Sequence, residues 1–265
     1  MARSALLNIM VGAALKAGRA LARDFGEVEN LQVSLKGPAN FVSAADRRAE
    51  KVIVDELRKA RPAYGFLTEE TGEIPGTDKT HRWIVDPLDG TTNFLHGVPI
   101  FSVSIALERD GEVVAGVVYN PVMNELYAGE KGTGAFFNDR RLRVAARKEL
   151  ADALIATGIP HLGRPAQDRF LSELGALMKQ VAGVRRCGSA ALDLAWVAAG
   201  RFDGFWEHAL SPWDVAAGIL LVREAGGIVT DADGGDRALT GVSILAANPR
   251  LHGLLRTVLA GAQTG

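Results

Sequence analysis

The chain has 265 residues, long enough for one large domain or two closely packed halves. Its 30 Lys and Arg against 31 Asp and Glu leave a net charge of −1, which gives no electrostatic reason to expect nucleic acid or anionic membrane as the main partner. One cysteine, Cys187, excludes an internal disulfide and fits a reducing compartment.

From the N-terminus, Ser4 to Asp24 reads as an amphipathic helix. Leu7, Val11, Ala14, Leu15 and Ala22 share one stripe, and Lys16, Arg19 and Arg23 recur on another. That pattern argues against a signal peptide, so a cytoplasmic protein is expected. No uninterrupted apolar run approaches the roughly 20 residues of a membrane span. After the loop Lys36-Gly37-Pro38-Ala39-Asn40, with Ser43 as N-cap, a second helix is expected over Ala44 to Ala60. The period then changes. Gly65-Phe66-Leu67-Thr68 and Arg82-Trp83-Ile84-Val85 read as short strands, each followed directly by an acid. Phe101 to Leu107, Glu112 to Tyr119 and Glu125 to Ala128 read as a meander with turns at Asp110-Gly111 and Asn120-Pro121.

The second half alternates. Strands are expected at Leu154 to Thr157, Phe202 to Trp206, Ile228 to Thr230 and Ser243 to Ala246. Helices are expected at Ala166 to Val181, Ala190 to Ala199 and Pro212 to Ala225, with a last one at the C-terminal end. This predicts a layered α/β fold in a single domain over residues 1–265, with sub-halves 1–147 and 148–265 conceivable around Arg147.

Three acidic sites stand at strand ends or helix starts: Glu69-Glu70, Asp86-Pro87-Leu88-Asp89, and Asp214. Each has an ordinary reading. Glu70 can be a solvated loop charge, Asp89 a cap for the segment after Gly90, and Asp214 the third helical residue of a capping box begun by Ser211. Together they suggest more. Asp86 closes the apolar run Trp83-Ile84-Val85, where a carboxylate needs a cation or several donors. Pro87 stiffens the turn, and a spacing of three can bring Asp86 and Asp89 to one side of a loop. Gly90 allows close backbone approach, and Thr91-Thr92-Asn93 opens a helix-like segment whose N–H groups can face an anion. Oxygen ligands for magnesium beside an anion cradle form a coherent pair.

These stretches resemble the inositol monophosphatase family. Trp83-Ile-Val-Asp86-Pro-Leu-Asp89-Gly-Thr-Thr-Asn93 is similar to its first signature, and Trp213-Asp-Val-Ala-Ala-Gly218 to its second. Gly188-Ser-Ala-Ala-Leu-Asp193, Gly65-Phe-Leu-Thr-Glu-Glu70 and Lys36-Gly-Pro-Ala-Asn40 match further stretches in the same order, so the likeness covers nearly the whole chain. It implies a layered αβαβα sugar-phosphatase fold and Mg²⁺-dependent hydrolysis of a small polyol phosphate. By resemblance, Glu69, Asp86 and the Leu88 carbonyl hold a first Mg²⁺, while Asp86, Asp89 and Asp214 hold a second. Glu69 also serves a third, weaker ion. Glu69 and Thr91 orient the attacking water, with Asp46 accepting from Thr91. The N–H groups of Gly90 and Thr91 bind phosphate. Asp89, the backbone of Ala190, and Glu207 meet substrate hydroxyls, with Arg186 and Lys36 nearby. A homodimer and lithium sensitivity are implied in the same way.

Ordinary readings remain beside these. Asp46 suits the first turn of a helix, Glu207 an edge strand, Lys36 a solvated loop, and Arg186 a surface. The five histidines show no metal-ligand spacing, and Gly132-Thr-Gly134 reads as a turn rather than a nucleotide cradle. Cys187, beside Arg185 and Arg186, reads as a small buried residue. Alternatives of substrate are fructose 1,6-bisphosphate, histidinol phosphate and 3′-phosphoadenosine 5′-phosphate. An alternative of class is an RNA-associated or transcription-complex factor, using Arg140, Arg141, Arg143, Arg147 and Lys148.

Overall fold

The computed structural model describes residues 3–27, 33–37, 40–160, 165–240 and 243–262, with the backbone alone described for 33–37 and 40–43. In chain order the elements are α1 (Ala5–Phe25), β1 (Val33–Gly37), β2 (Asn40–Ser43), α2 (Ala44–Ala60), β3 (Gly65–Thr68), β4 (Gly72–Ile74), β5 (His81–Asp89) and α3 (Thr91–Leu95). There follow β6 (Ser102–Arg109), β7 (Glu112–Asn120), β8 (Glu125–Glu130), β9 (Gly134–Phe137) and β10 (Arg140–Arg141). The second half contains β11 (Leu154–Thr157), α4 (Gln167–Leu177), β12 (Gly183–Arg185), α5 (Ala190–Ala198), β13 (Gly204–His208) and α6 (Pro212–Glu224). It closes with β14 (Ile228–Thr230), β15 (Ser243–Ala247) and α7 (Pro249–Gly261).

Two sheets organise the molecule. The larger has eight strands in the order β10-β9-β8-β7-β6-β5-β3-β4, and the smaller five in the order β12-β11-β13-β15-β14. Strand alternation sends successive side chains to opposite layers. On β5, Trp83 and Val85 join α1 and α2 in one core, while Ile84 joins α5 and α6 in another. On β13, Phe205 faces α5 and α6, and Trp206 faces α4 and α7. The layers therefore run α1/α2, large sheet, α5/α6, small sheet, α4/α7, which is the expected αβαβα order.

Local chemistry explains most boundaries. Ser4 caps α1 by accepting from Leu7 N–H at 3.0 Å. Its 21 residues are long and apolar enough to pass for a membrane span, against the sequence expectation, yet Leu7, Met10, Val11, Ala14, Ala17 and Leu21 are buried in the core it shares with α2. The β6–β7 hairpin turns at Asp110 and Gly111, both at positive φ.

Several expectations need correction. Asp86 to Asp89 is not a loop: β5 runs on through it, paired with β6 at Asp86↔Ser104 and Asp89↔Ser102 with a register shift between. In a regular strand, residues three apart face opposite sides, so this irregularity is what lets both carboxylates reach one cavity. The helix expected over Ala166 to Val181 is confined to Gln167–Leu177. The strand expected at Phe202 begins at Gly204 and ends at His208. It lies between β11 and β15, so Glu207 is not on an edge. The short strands β4, β9, β10 and β12 had no clear sequence signal. Residues 131–133 form the expected turn into β9.

Candidate active site

Four elements end at one cavity of about 430 Å³. β5 brings Asp86, Leu88 and Asp89, the segment after β3 brings Glu69, the start of α6 brings Asp214, and β13 brings Glu207. Gly90, Thr91, Arg186 and Ala190 line the same space. Of the residues singled out from sequence, Asp46 lies just behind the wall, and the side chain of Lys36 is outside the described residues.

Asp46 is fully buried in the first turn of α2. Thr91 Oγ1 lies 3.5 Å from Asp46 Oδ2 and 3.0 Å from the Leu88 carbonyl. Ligand atoms of Asp46, Glu69 and Glu70 fall within 4.8 Å of one another, so Glu70 is more than a loop charge. The second member of the Glu-Glu pair is anchored: its N–H donates to the buried Glu50 carboxylate at 2.8 Å, and Arg47 approaches its side chain at 3.5 Å.

Asp86 is 1% exposed and accepts from Leu88 N–H at 2.9 Å. Burial pushes its carboxyl well above the usual range, and the charges of Glu69, Asp89, Asp214 and Asp46 push further. Burial also raises Asp89, to about 6, against the opposing hydrogen bonds of Ser189 and the backbone. Ser189 Oγ donates to Asp89 at 2.6 Å and Ala191 N–H at 2.8 Å. Ser189 is a site residue with no expected role, its one signal in the sequence being a serine just before a helix start. Asp214 accepts from Ser211 N–H at 2.7 Å, so its capping role and its place in the cavity coexist. Glu207 is raised well above the ordinary value by burial, then by Asp193, Asp214 and Asp89, with Arg186 opposing.

A ring of hard oxygen donors in mutual repulsion is stabilised by a divalent cation in a way that proton uptake by one member only partly replaces, so the donor set fits Mg²⁺-type ions. Gly90 shapes the adjoining helix start. It has φ +96°, and a Cβ there would meet the Ile100 carbonyl at 2.9 Å. Asn93 then ties the two sides of the cavity together, its Nδ2 donating to Ile100 O at 2.7 Å and Cys187 O at 2.8 Å. Cys187 is half-buried, and its thiol is pushed up to about 12 by burial and by Asp193, which removes it as a nucleophile. His208 and His252 are buried; His208 lines the same cavity with its ring paired to Glu173, and His252 pairs with Thr230.

A layered αβαβα frame with this carboxylate ring beside a helix start defines a metal-dependent phosphoric monoester hydrolase. The chain belongs to the inositol monophosphatase family, whose description it matches over residues 2–263. It is 65% identical to an inositol-1-monophosphatase of Rhizobium meliloti (strain 1021), over 98% of this chain and 97% of that protein. It is 47% identical to the Nus factor SuhB of Escherichia coli K12, over 93% and 92% of the two chains. Among solved structures, the extragenic suppressor protein suhB of Bartonella henselae superposes with a TM-score of 0.95 at 62% identity, covering 97% of this chain and 98% of that one.

Proposed function

We propose that this protein hydrolyses the phosphate monoester of a small polyol, with inositol 1-phosphate as the leading substrate and Mg²⁺ as the metal. The observation that carries this is the convergence of Glu69, Asp86, Asp89 and Asp214 on one cavity beside Gly90 and Thr91. High identity to an inositol-1-monophosphatase supports the substrate.

In this reading Glu69, Asp86, the Leu88 carbonyl, Asp89 and Asp214 would hold two to three ions, which when bound would lower the pKa of a water and offset charge on the phosphate. Glu69 and Thr91 orient the water. Thr91 Oγ1 has one proton to donate, with the Leu88 carbonyl at 3.0 Å and Asp46 Oδ2 at 3.5 Å as its acceptors, which leaves its lone pairs for the water. The N–H groups of Gly90 and Thr91, at the start of α3, would bind the phosphate oxygens. Asp89, the Ala190 backbone and Glu207 accept or offer hydrogen bonds to the ring hydroxyls, with Arg186 at the rim. Glu207 is suited to this task because vicinal hydroxyls replace water around a carboxylate that burial has partly stripped.

Assay with Mg²⁺ on inositol 1-phosphate, histidinol phosphate and fructose 1,6-bisphosphate tests the assignment, with the highest kcat/KM expected for the first. A higher value for either other ester would replace it. A second reading, association with a transcription complex, is supported by the likeness to the Nus factor and by Arg140 and Arg141 lying exposed on β10. It need not exclude catalysis. Retention of a partner by Asp86→Asn would support it. The homodimer, cytoplasmic location and lithium sensitivity belong to the same proposal by family resemblance, and sedimentation, fractionation and lithium titration test them.

A further inference from the structure

Glu207 sits in an unusual seat. β11 and β13 run parallel with Thr157 opposite Trp206, which puts Gly158, the next residue, beside Glu207. A Cβ built on Gly158 would fall 1.9 Å from Glu207 Cδ and Oε1 and 2.3 Å from Oε2. The carboxylate therefore fills the volume that any side chain at 158 would need. The backbone of Gly158 is not in the left-handed region, so alanine is compatible with its conformation. The glycine is required for space and not for its dihedral freedom.

The strand beneath the carboxylate is clamped from the other side. Trp206 and His208 flank Glu207 and point to the opposite layer. Both meet one buried carboxylate on α4: Trp206 Nε1 donates to Glu173 Oε2 at 3.1 Å, and His208 Nε2 lies 2.7 Å from the same atom. Arg169 Nε donates to Glu173 Oε1 at 2.8 Å. These contacts restrain β13 from the far side, and the atoms that a Cβ at 158 meets are the far end of a flexible side chain, so crowding is expected to displace the carboxylate first.

We propose that Gly158 is a specificity-determining position: its bare Cα, opposed by the Glu173 clamp, fixes where the Glu207 carboxylate stands and so which hydroxyl pattern the cavity accepts. This rests on the reading of Glu207 as the hydroxyl anchor.

The test compares Gly158→Ala, Glu207→Gln and the double variant on inositol 1-phosphate and on phenyl phosphate, which has no hydroxyls to anchor. Gly158→Ala is expected to raise KM for inositol 1-phosphate about tenfold with kcat changed less than about threefold, and to leave kcat/KM for phenyl phosphate within about threefold. The double variant is expected to be no worse than Glu207→Gln, because both act on one contact. If Glu207→Gln lowers the preference for inositol 1-phosphate and Gly158→Ala does not, the inference is overturned and the anchor reading stands. If Glu207→Gln itself leaves the preference unchanged, both fall. Should Gly158→Ala fold poorly, Glu207→Asp, whose carboxylate stops one carbon short of the seat, is expected to lower the same preference. An unchanged preference there would count against the seat.

Discussion

Asp214 combines two tasks that a substitution can separate. An asparagine keeps an oxygen for the Ser211 N–H, so the start of α6 stays capped, while the negative charge in the cavity is lost. Asp214→Asn is therefore expected to lose at least about two orders of magnitude in kcat with an unfolding midpoint close to wild type. Near wild-type turnover would remove the residue from the metal set. Gly90 behaves in the opposite way, since its constraint is steric. Gly90→Ala should cost about 1–3 kcal/mol of stability from the positive φ and the approach to the Ile100 carbonyl, and should depress turnover as the helix start shifts. Calorimetry beside steady-state kinetics would show both losses, and an unstrained, active variant would contradict the close approach.

At the scale of elements, α4 is held to the small sheet through Glu173. Burial alone would raise its carboxyl, but the hydrogen bonds from His208 and Arg169 outweigh that and hold it below the ordinary range. A lowered folded-state value means the stabilisation is present above the unfolded-state value, near about 4.3, and is lost as pH falls through the folded one. Glu173→Gln should thus lose less stability than wild type on acidification below about pH 4.5, a difference readable in denaturant midpoints taken across that window. Glu173→Ala, which leaves Trp206 and His208 without their acceptor, is expected to cost about 2–4 kcal/mol at neutral pH. Periodicity made α1 legible, and start and stop signals made α2 and α6 legible (Ser43 before one, Ser211-Pro212 and Gly226-Gly227 around the other), while the acids that wall the cavity were legible because each stood next to an apolar run or a helix start. What was hidden depends on pairing across the chain. The irregular register between Asp86 and Asp89 is set by β6. The central position of β13, and with it the burial of Glu207, is set by β11 and β15. Gly158 carried no local signal because its meaning lies in a neighbour nearly fifty positions away.

For the whole molecule, the carboxylate ring is a source of self-repulsion within an otherwise densely packed five-layer fold. Mg²⁺ should therefore raise the thermal midpoint, and chelation should lower it along with activity. Asp86→Asn should shrink the Mg²⁺-dependent shift while leaving the metal-free protein at least as stable as wild type. Thermal shift assays with and without chelator would decide, and a wild-type midpoint indifferent to Mg²⁺ would count against the cage. The carboxamide of Asn93 has a further bearing on what this enzyme can become. By joining the turn before β6 to the turn before α5, it works as a stitch that sets how far apart the two ends of the cleft can stand. Among the described residues, bulkier alcohols would gain room past Ile159 and Leu210, which line the same cavity, rather than across that link. Selection for larger leaving groups should accumulate its first changes around those two residues and leave the stitch in place.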